Sequence, residues 1–372
     1  MLKVDWPQAL AWRLKRHLLD PIGEVSVPDV VEQVCGVQSQ VASSAELAIR
    51  VRRRFSQPGE VDMALATGSL VKTWAMRGAL HLLTPTNAAF LLPVMAAARP
   101  WERPSWQRYF GVTPAQIDSL REKVRELLSG QALTREELVE SLVTSPGFSH
   151  MGAALRSGWG TLFKPLAWQG DLVLGASRGN RTTFMLPEDA SREWRGLLPL
   201  DEAAPAAMAG YLTAHGPATV ESISQWLAGG WFGKKQVRGW LAALGDEAAE
   251  VEVEGHVAHA LARDLDDLAS ARPSDAVRLL GGFDQYVLGP GTADEHVVPA
   301  NRRGAVSRPA GWISPVVVFR GVVAGTWEFG SAGVQVMWFG EAGRPPQRAL
   351  KAETKRLADI AGRPFELIIN VG

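Results

Sequence analysis

The sequence predicts an α+β fold: three tandem winged helix-turn-helix units followed by a C-terminal β-rich region. Two observations carry that prediction. Three times along the chain, short helical stretches are followed by a pair of strand-like runs joined by a turn, the order of a winged helix. From Val277 onward, runs of β-branched residues replace the helical period. A chain of 372 residues has room for several cores, and the repeats divide it at 1–110, 111–200, 201–275 and 276–372.

The start, MLKVDWPQALAWRLKRHLLD, reads as a charged amphipathic helix rather than the apolar core of a signal peptide. Residues 27–85 then read as helix, a Gln-x-Gln turn, helix 44–55, short helix 61–67, and strands 71–76 and 79–83 joined at Arg77-Gly78. Residues 90–110 form an aromatic connector with Trp101, Trp106 and Tyr109. A helix over 114–128 follows, with Ile117, Leu120, Val124, Leu127 and Leu128 on one face.

The second unit opens on a capping box, Thr134 to Glu137, before a helix over 136–143. Helical stretches at 149–157 and 162–168 precede strands 171–174 and 182–186, whose joining loop is a wing tip with Arg178 and Arg181. The third unit has helices 206–215, 219–227 and 234–244 and a hairpin, 251–254 with 257–261. The C-terminal region has strands 278–280, 316–319, 322–329 and 334–339, helix 348–361 and a last strand 365–369. Its long basic loop, 289–315, carries Arg302, Arg303 and Arg308; loops of that length without structure of their own are usually functional or disordered.

Composition narrows the classes. The 39 basic and 39 acidic residues cancel, so a contact with a polyanion has to come from a local patch. Arginine dominates, thirty against nine lysines, which suits bidentate phosphate recognition and also fits a GC-rich genome. Cys35 is the single cysteine, which excludes an intramolecular disulfide and a multi-cysteine zinc site. No apolar run reaches membrane-spanning length. These features lead to the expectation of a soluble protein in a reducing, cytoplasmic compartment.

Few motifs carry chemistry. Gly229 to Lys235 (GGWFGKK) has the wrong glycine spacing for a phosphate-binding loop, and Lys235 stands where the hydroxyl belongs. As the turn before a third helix it puts Lys234, Lys235 and Arg238 at the start of that helix, either on a DNA backbone or on a plain solvated face. His256-x-x-His259 falls on a hairpin without an acidic or cysteine partner at metal spacing, and no metal or other cofactor is expected. Cys35 has no histidine neighbour and reads as a small buried hydrophobe. Trp101, Trp106 and Trp231 would stack on bases if exposed. Arg52-Arg53-Arg54 reads as a helix end, where cations suit the dipole. The remaining candidate is Cys35-Gly-Val-Gln-Ser-Gln40. Two amides one residue apart, Gln38 and Gln40, can converge on one water, each offering a carbonyl acceptor and an NH2 donor; an exposed helix start is the commoner meaning of such a pair.

Taken together in order, Gly36-Val-Gln-Ser-Gln40, Val71-Lys-Thr-Trp-Ala-Met-Arg-Gly-Ala-Leu-His-Leu82, Leu279-Leu-Gly-Gly-Phe-Asp-Gln-Tyr286 and Val322-Val-Ala-Gly-Thr-Trp327 resemble the AlkZ/YcaQ-like winged-helix DNA glycosylases across nearly the whole chain. The resemblance implies tandem winged helices forming a concave DNA-binding channel. It also implies hydrolysis of the N-glycosidic bond of N7-alkylated, cationic purines, including interstrand crosslinks such as those of azinomycin, in repair and self-resistance. The family's catalytic pair of glutamines maps onto Gln38 and Gln40. Its middle residue is usually aliphatic, and Ser39 departs from that. The family's DNA-probing β-hairpin is placed within 289–315, making Arg302, Arg303 and Arg308 candidates for DNA contact, with Lys234, Lys235, Arg238, Arg178, Arg181 and Arg77 around them. The expected partner is double-stranded DNA with alkylated purines or crosslinks, bound by a monomer, with no cofactor. The competing class is a non-catalytic winged-helix DNA-binding protein, a regulator or a drug-sequestering resistance factor, since the fold alone does not settle function.

Overall fold

The structure is a computed structural model that describes residues 1–157, 160–330 and 333–372, without the side chain of Ala228. It is a mixed helix-and-sheet fold, and the chain packs into two compact units. The first comprises Met1–Glu60, Met208–Trp226 and Gly233–Gly372; the second comprises Val61–Ala207 and Leu227–Phe232.

The first unit begins with a strand that the sequence reading folded into the opening helix. Leu2–Val4 runs parallel to Ala248–Val253, with Leu2 opposite Val251. Asp5 then caps helix Trp6–Arg16, its carboxylate accepting from the Gln8 N–H at 2.8 Å. Val4, Ala9 and Trp12 share a core with Val251, Val253, Ala258 and Leu268.

The larger sheet of this unit runs Val277–Leu280, Val316–Phe319, Val322–Phe329, Gly333–Trp338 and Glu366–Val371, antiparallel except for the last pair. Helix Gln347–Ala361 covers one face, setting Leu350 and Leu357 against Val317, Trp327, Val334 and Val336. Burying each leucine is worth roughly 1.5–3 kcal/mol. On the other face Val316 and Val318 meet Leu10, Leu14, Phe283 and Tyr286. A strand buried on both faces explains why Val316-Val317-Val318-Phe319 is continuously apolar rather than alternating.

The second unit is organised by helices Pro114–Leu128 and Arg135–Thr144. Both open on capping boxes, Thr113 with Gln116 and Thr134 with Glu137. Ile117, Leu120, Val124 and Leu128 are buried on one face, as their spacing requires. The strands run in the order Leu80–Leu83, Val71–Trp74, Val173–Arg178, Arg181–Met185, Leu133–Thr134.

Two further expectations need correcting. The connector at 90–110 begins as helix Pro85–Ala96, capped by Thr84. The helix read as 44–55 is Ala42–Arg50, so the arginine triplet lies just beyond it, although Arg52 still reaches back to the Ala48 carbonyl of its last turn. Each of the three is instead ion-paired: Arg52 with Asp284, Arg53 with Glu60 and Arg54 with Glu24.

Candidate functional site

The glutamine pair is positioned by the way the preceding helix ends. Helix Val27–Gln33 starts on a capping box, Ser26 with Asp29, and buries Val27, Val30 and Val31. Its end is a Schellman turn: the Gly36 N–H donates to the Val31 carbonyl at 2.8 Å and the Cys35 N–H to that of Glu32 at 3.0 Å. The turn needs a left-handed residue, and here Cys35 takes that role at φ 56, followed by Gly36 at φ 99. A non-glycine residue in that region costs roughly 1–2 kcal/mol. The Cys35 thiol is buried and its pKa is pushed up to about 12, by burial first and then by the charge of Glu32. It stays protonated and is no nucleophile.

The reversed chain passes through strand Val37–Gln38 and enters helix Ala42–Arg50. Gln38 is 8% exposed, Ser39 1%, and Gln40 is open to solvent. The Ser39 hydroxyl has no partner among the described residues, so this position behaves as the apolar site that an aliphatic residue would fill. Val41, at the helix N-cap, offers no side-chain acceptor. The first N–H groups of the helix therefore stand uncapped one turn from Gln40, a geometry that suits an anion.

Behind this helix lies the segment Gly281–Asp284. A Cβ on Gly281 would stand 3.2 Å from Leu47, and one on Gly282 would stand 2.8 Å from the Ile313 carbonyl and 3.8 Å from the Ser44 hydroxyl. The Asp284 carboxylate accepts both Nη groups of Arg52, at 2.6 and 2.8 Å, and the Tyr286 N–H at 2.8 Å. Arg52 also donates to the Ala48 carbonyl and, at 3.3 Å, to His17 Nδ1. His17 Nε2 then carries the proton and donates to His215 Nδ1 at 3.2 Å. Burial foremost, with His215, Arg52 and Arg13, holds His17 well below the usual histidine range, so it is neutral. This fully buried pair fixes the end of the helix that follows the glutamines to the Gly281–Asp284 segment.

The basic loop at 289–315 is shorter on irregular structure than its sequence implies. It contains a one-turn 3-10 helix Ala300–Arg302, helix Arg303–Val306 and a tight antiparallel turn. In that turn Ser307 bridges Ile313, Ser314 N–H donates to Val306, and Arg308 N–H donates to Trp312 at 2.8 Å. Ala310 and Gly311 take positive φ at its tip. Arg308 and Trp312 are exposed there, and Trp312 meets Phe283 edge-on at 5.1 Å. Through Ile313, Gly282 and Ser44, the turn bearing Arg308 is packed to the glutamine helix. Arg302 is committed elsewhere: its guanidinium holds Glu341 at 2.6 and 2.7 Å, donates to the Gly372 carbonyl and covers the Phe339 ring. Arg303 is exposed.

The other candidate cations are placed as follows. Lys234, Lys235 and Arg238 sit exposed on helix Lys234–Ala242 in the first unit, with Lys234 paired to Glu221. In the second unit Arg178 and Arg181 face each other across a hairpin, and Arg178 grips Glu137. Arg77, half-exposed, takes φ 55 in the turn between Val71–Trp74 and Leu80–Leu83. Arg52 and Asp284 form the buried pair beside the candidate site that sequence reasoning missed; the Leu279–Tyr286 motif was in view, but nothing in it names Arg52 as its partner.

Comparison with known proteins shows the family of the chain. A family model described as DNA glycosylase AlkZ-like matches residues 31–360. A curated relative, the interstrand DNA cross-link repair glycosylase of Streptomyces sahachiroi, is 46% identical over 97% of this chain and 98% of its own length. A solved structure, Streptomyces sahachiroi DNA glycosylase AlkZ, superposes with a TM-score of 0.95 at 45% identity, covering both chains completely. With the glutamine segment, its helix and the packed Gly281–Asp284 segment in one unit, the chain belongs to the AlkZ-like DNA glycosylase family.

Proposed function

We propose that this protein is a monofunctional DNA glycosylase that hydrolyses the N-glycosidic bond of N7-alkylated purines in duplex DNA and, like its curated relative, acts on interstrand crosslinks. The observation that carries the reading is Gln38-Ser39-Gln40 between a reversed helix end and an uncapped helix start.

An N7-alkylguanine already carries positive charge, so it leaves without protonation and no strong general acid is needed. The C1′–N9 bond breaks, its electron pair neutralises the departing purine, and a water oxygen bonds to C1′. The amide carbonyls of Gln38 and Gln40 accept hydrogen bonds from that water and set partial negative charge beside an oxocarbenium-like sugar. An amide is a poor base, so the proton leaves to solvent after attack. Orientation can supply roughly 7–11 kcal/mol of a barrier, enough to be most of the mechanism. The uncapped N–H groups of helix Ala42–Arg50 favour a backbone phosphate rather than the developing cation.

The tandem winged-helix arrangement over 1–110, 111–200 and 201–275, the β-rich region over 276–372 and a concave DNA-binding channel belong to the same proposal, as does action as a monomer. Arg308, on a turn packed to the glutamine helix, is the favoured DNA-contacting arginine. The second reading, a DNA-binding protein without catalysis, is favoured by one feature: Lys234, Lys235 and Arg238 gathered on a single helix.

The deciding experiment measures base release from a duplex with one N7-methylguanine, wild type beside Gln38→Ala/Gln40→Ala. Release by the wild type alone supports the glycosylase reading at these residues. Binding without release, on this substrate and on a crosslinked duplex, supports the second reading.

A further inference from the structure

Helix Pro104–Phe110 in the second unit buries no side chain. A surface helix normally covers core with one face; this one leaves Tyr109 exposed and Trp106 and Phe110 only half-buried. Tyr109 is 81% exposed and meets Phe110 at 4.7 Å, and Phe110 meets Trp106 at 4.6 Å. Trp231, from the segment Leu227–Phe232 of the same unit, is 49% exposed, with the Arg103 guanidinium 5.8 Å from its ring centroid. Trp101, the third tryptophan of the sequence reading, is buried instead.

The chemistry of this surface selects its partner. From Arg99 to Phe110 the chain contains three arginines, one glutamate and four aromatic residues, and no aliphatic residue. A lipid surface would recruit leucine or isoleucine to widen its apolar area, and a protein interface draws on the same tryptophan, tyrosine and arginine. The excess of three arginines over one glutamate, in a chain of a DNA-acting family, selects nucleic acid. Rings flanked by guanidinium groups match nucleic acid, in which bases stack on π-faces and cations take phosphates. A duplex offers base edges in its grooves and keeps base faces covered, so open rings select unpaired nucleotides.

We propose that Trp106, Tyr109 and Trp231, with Arg103 and Arg108, form a platform for single-stranded DNA. Unpaired bases stack on Tyr109 and Trp231, Arg103 braces the Trp231 ring, and Arg108 takes a phosphate. The proposal rests on the DNA-directed reading above only for its choice of polymer.

The test is fluorescence anisotropy of a labelled oligothymidylate of about twelve nucleotides, a length within the site sizes of such grooves, with full-length protein. Tyr109→Ala and Trp231→Ala should each weaken binding roughly 5- to 150-fold, and Tyr109→Phe should restore it. Arg108→Ala should lower the slope of log affinity against log salt by about 0.7. Excision from a fully paired N7-methylguanine duplex should be unchanged in all of them. The platform is overturned if the wild type does not bind the oligomer, or if Tyr109→Ala and Trp231→Ala bind it as the wild type does. Conversion of a wild-type dimer to a monomer by Tyr109→Ala, with affinity for the oligomer unaltered, would make the patch a self-association surface and also overturn it. Loss of oligomer binding in the variants of a protein that releases no base sinks the glycosylase reading alone; base release with unaltered oligomer binding sinks the platform alone.

Discussion

Removing the carboxylate of Asp284 exposes how strongly the site depends on one buried contact. Arg52 and Asp284 are each 1% exposed, and the guanidinium gives both Nη groups to the carboxylate. In Asp284→Ala the arginine keeps only the Ala48 carbonyl and His17 Nδ1, while its Nε has no partner among the described residues even in the intact protein. An uncompensated buried charge of this kind costs roughly 3–5 kcal/mol. In a unit of 150–250 residues each kcal/mol moves the melting temperature by about 2–4 °C, so a fall of roughly 6–20 °C is expected by calorimetry. The double variant Arg52→Met/Asp284→Leu removes both charges, and apolar replacement of a buried pair is often neutral. It should recover most of the loss and stay about 1 kcal/mol below wild type, because Asp284 also caps the Tyr286 N–H. If Asp284→Ala melts with the wild type, or the double variant melts no higher than the single, the reasoning is refuted.

Four further outcomes are expected. Ser39→Ala, which deletes a buried hydroxyl without a partner, should leave base release intact and raise stability by up to about 1 kcal/mol in urea titration. Gly282→Ala would set a methyl 2.8 Å from the Ile313 carbonyl; it should cost roughly 1–3 kcal/mol and slow excision by displacing the Arg308 turn. His81, buried, has its pKa lowered to about 3 by burial first and then by Arg77. The unfolded chain therefore binds the extra proton, and the stabilisation present above pH 6.5 is lost as pH falls toward 3. Between pH 7.5 and 5.0 that is about 2 kcal/mol, absent in His81→Asn by denaturant unfolding at the two pH values, with His17 acting in the same direction. Arg308→Ala should lower the salt slope of duplex binding by about one unit, and Arg302→Ala by less, because Glu341 already holds Arg302.

Local signals were legible in the sequence wherever the physics was local. Helix Pro114–Leu128 is bounded by its Thr113 cap and its apolar period, and its bounds match the reading residue for residue. Helix Pro85–Ala96 was missed because Pro85, Ala88, Phe90, Leu91, Leu92, Val94 and Met95 are buried all round it, which erases the amphipathic period. Strand Leu2–Val4 is three residues long and is defined only by Val251 and its neighbours. The glutamine pair was visible through spacing and family resemblance. Its support was not, since Arg52 and Asp284 are 232 positions apart and neither segment announces the other. A charged triplet such as Arg52-Arg53-Arg54 reads as solvent-facing until its three separate acids are located.

The order of synthesis gives that long separation a cost in time. The first unit is assembled from three stretches, and Asp284 leaves the ribosome long after Arg52. At 5–20 residues per second the delay is on the order of tens of seconds. Until residues 248–253 are made the strand Leu2–Val4 has no edge to join, and until Asp284 is made the arginine has no counter-ion. The segment Gly281–Asp284, and with it the counter-ion of Arg52, therefore joins the helix after the glutamine pair only once the carboxyl-terminal stretch of the first unit has been made.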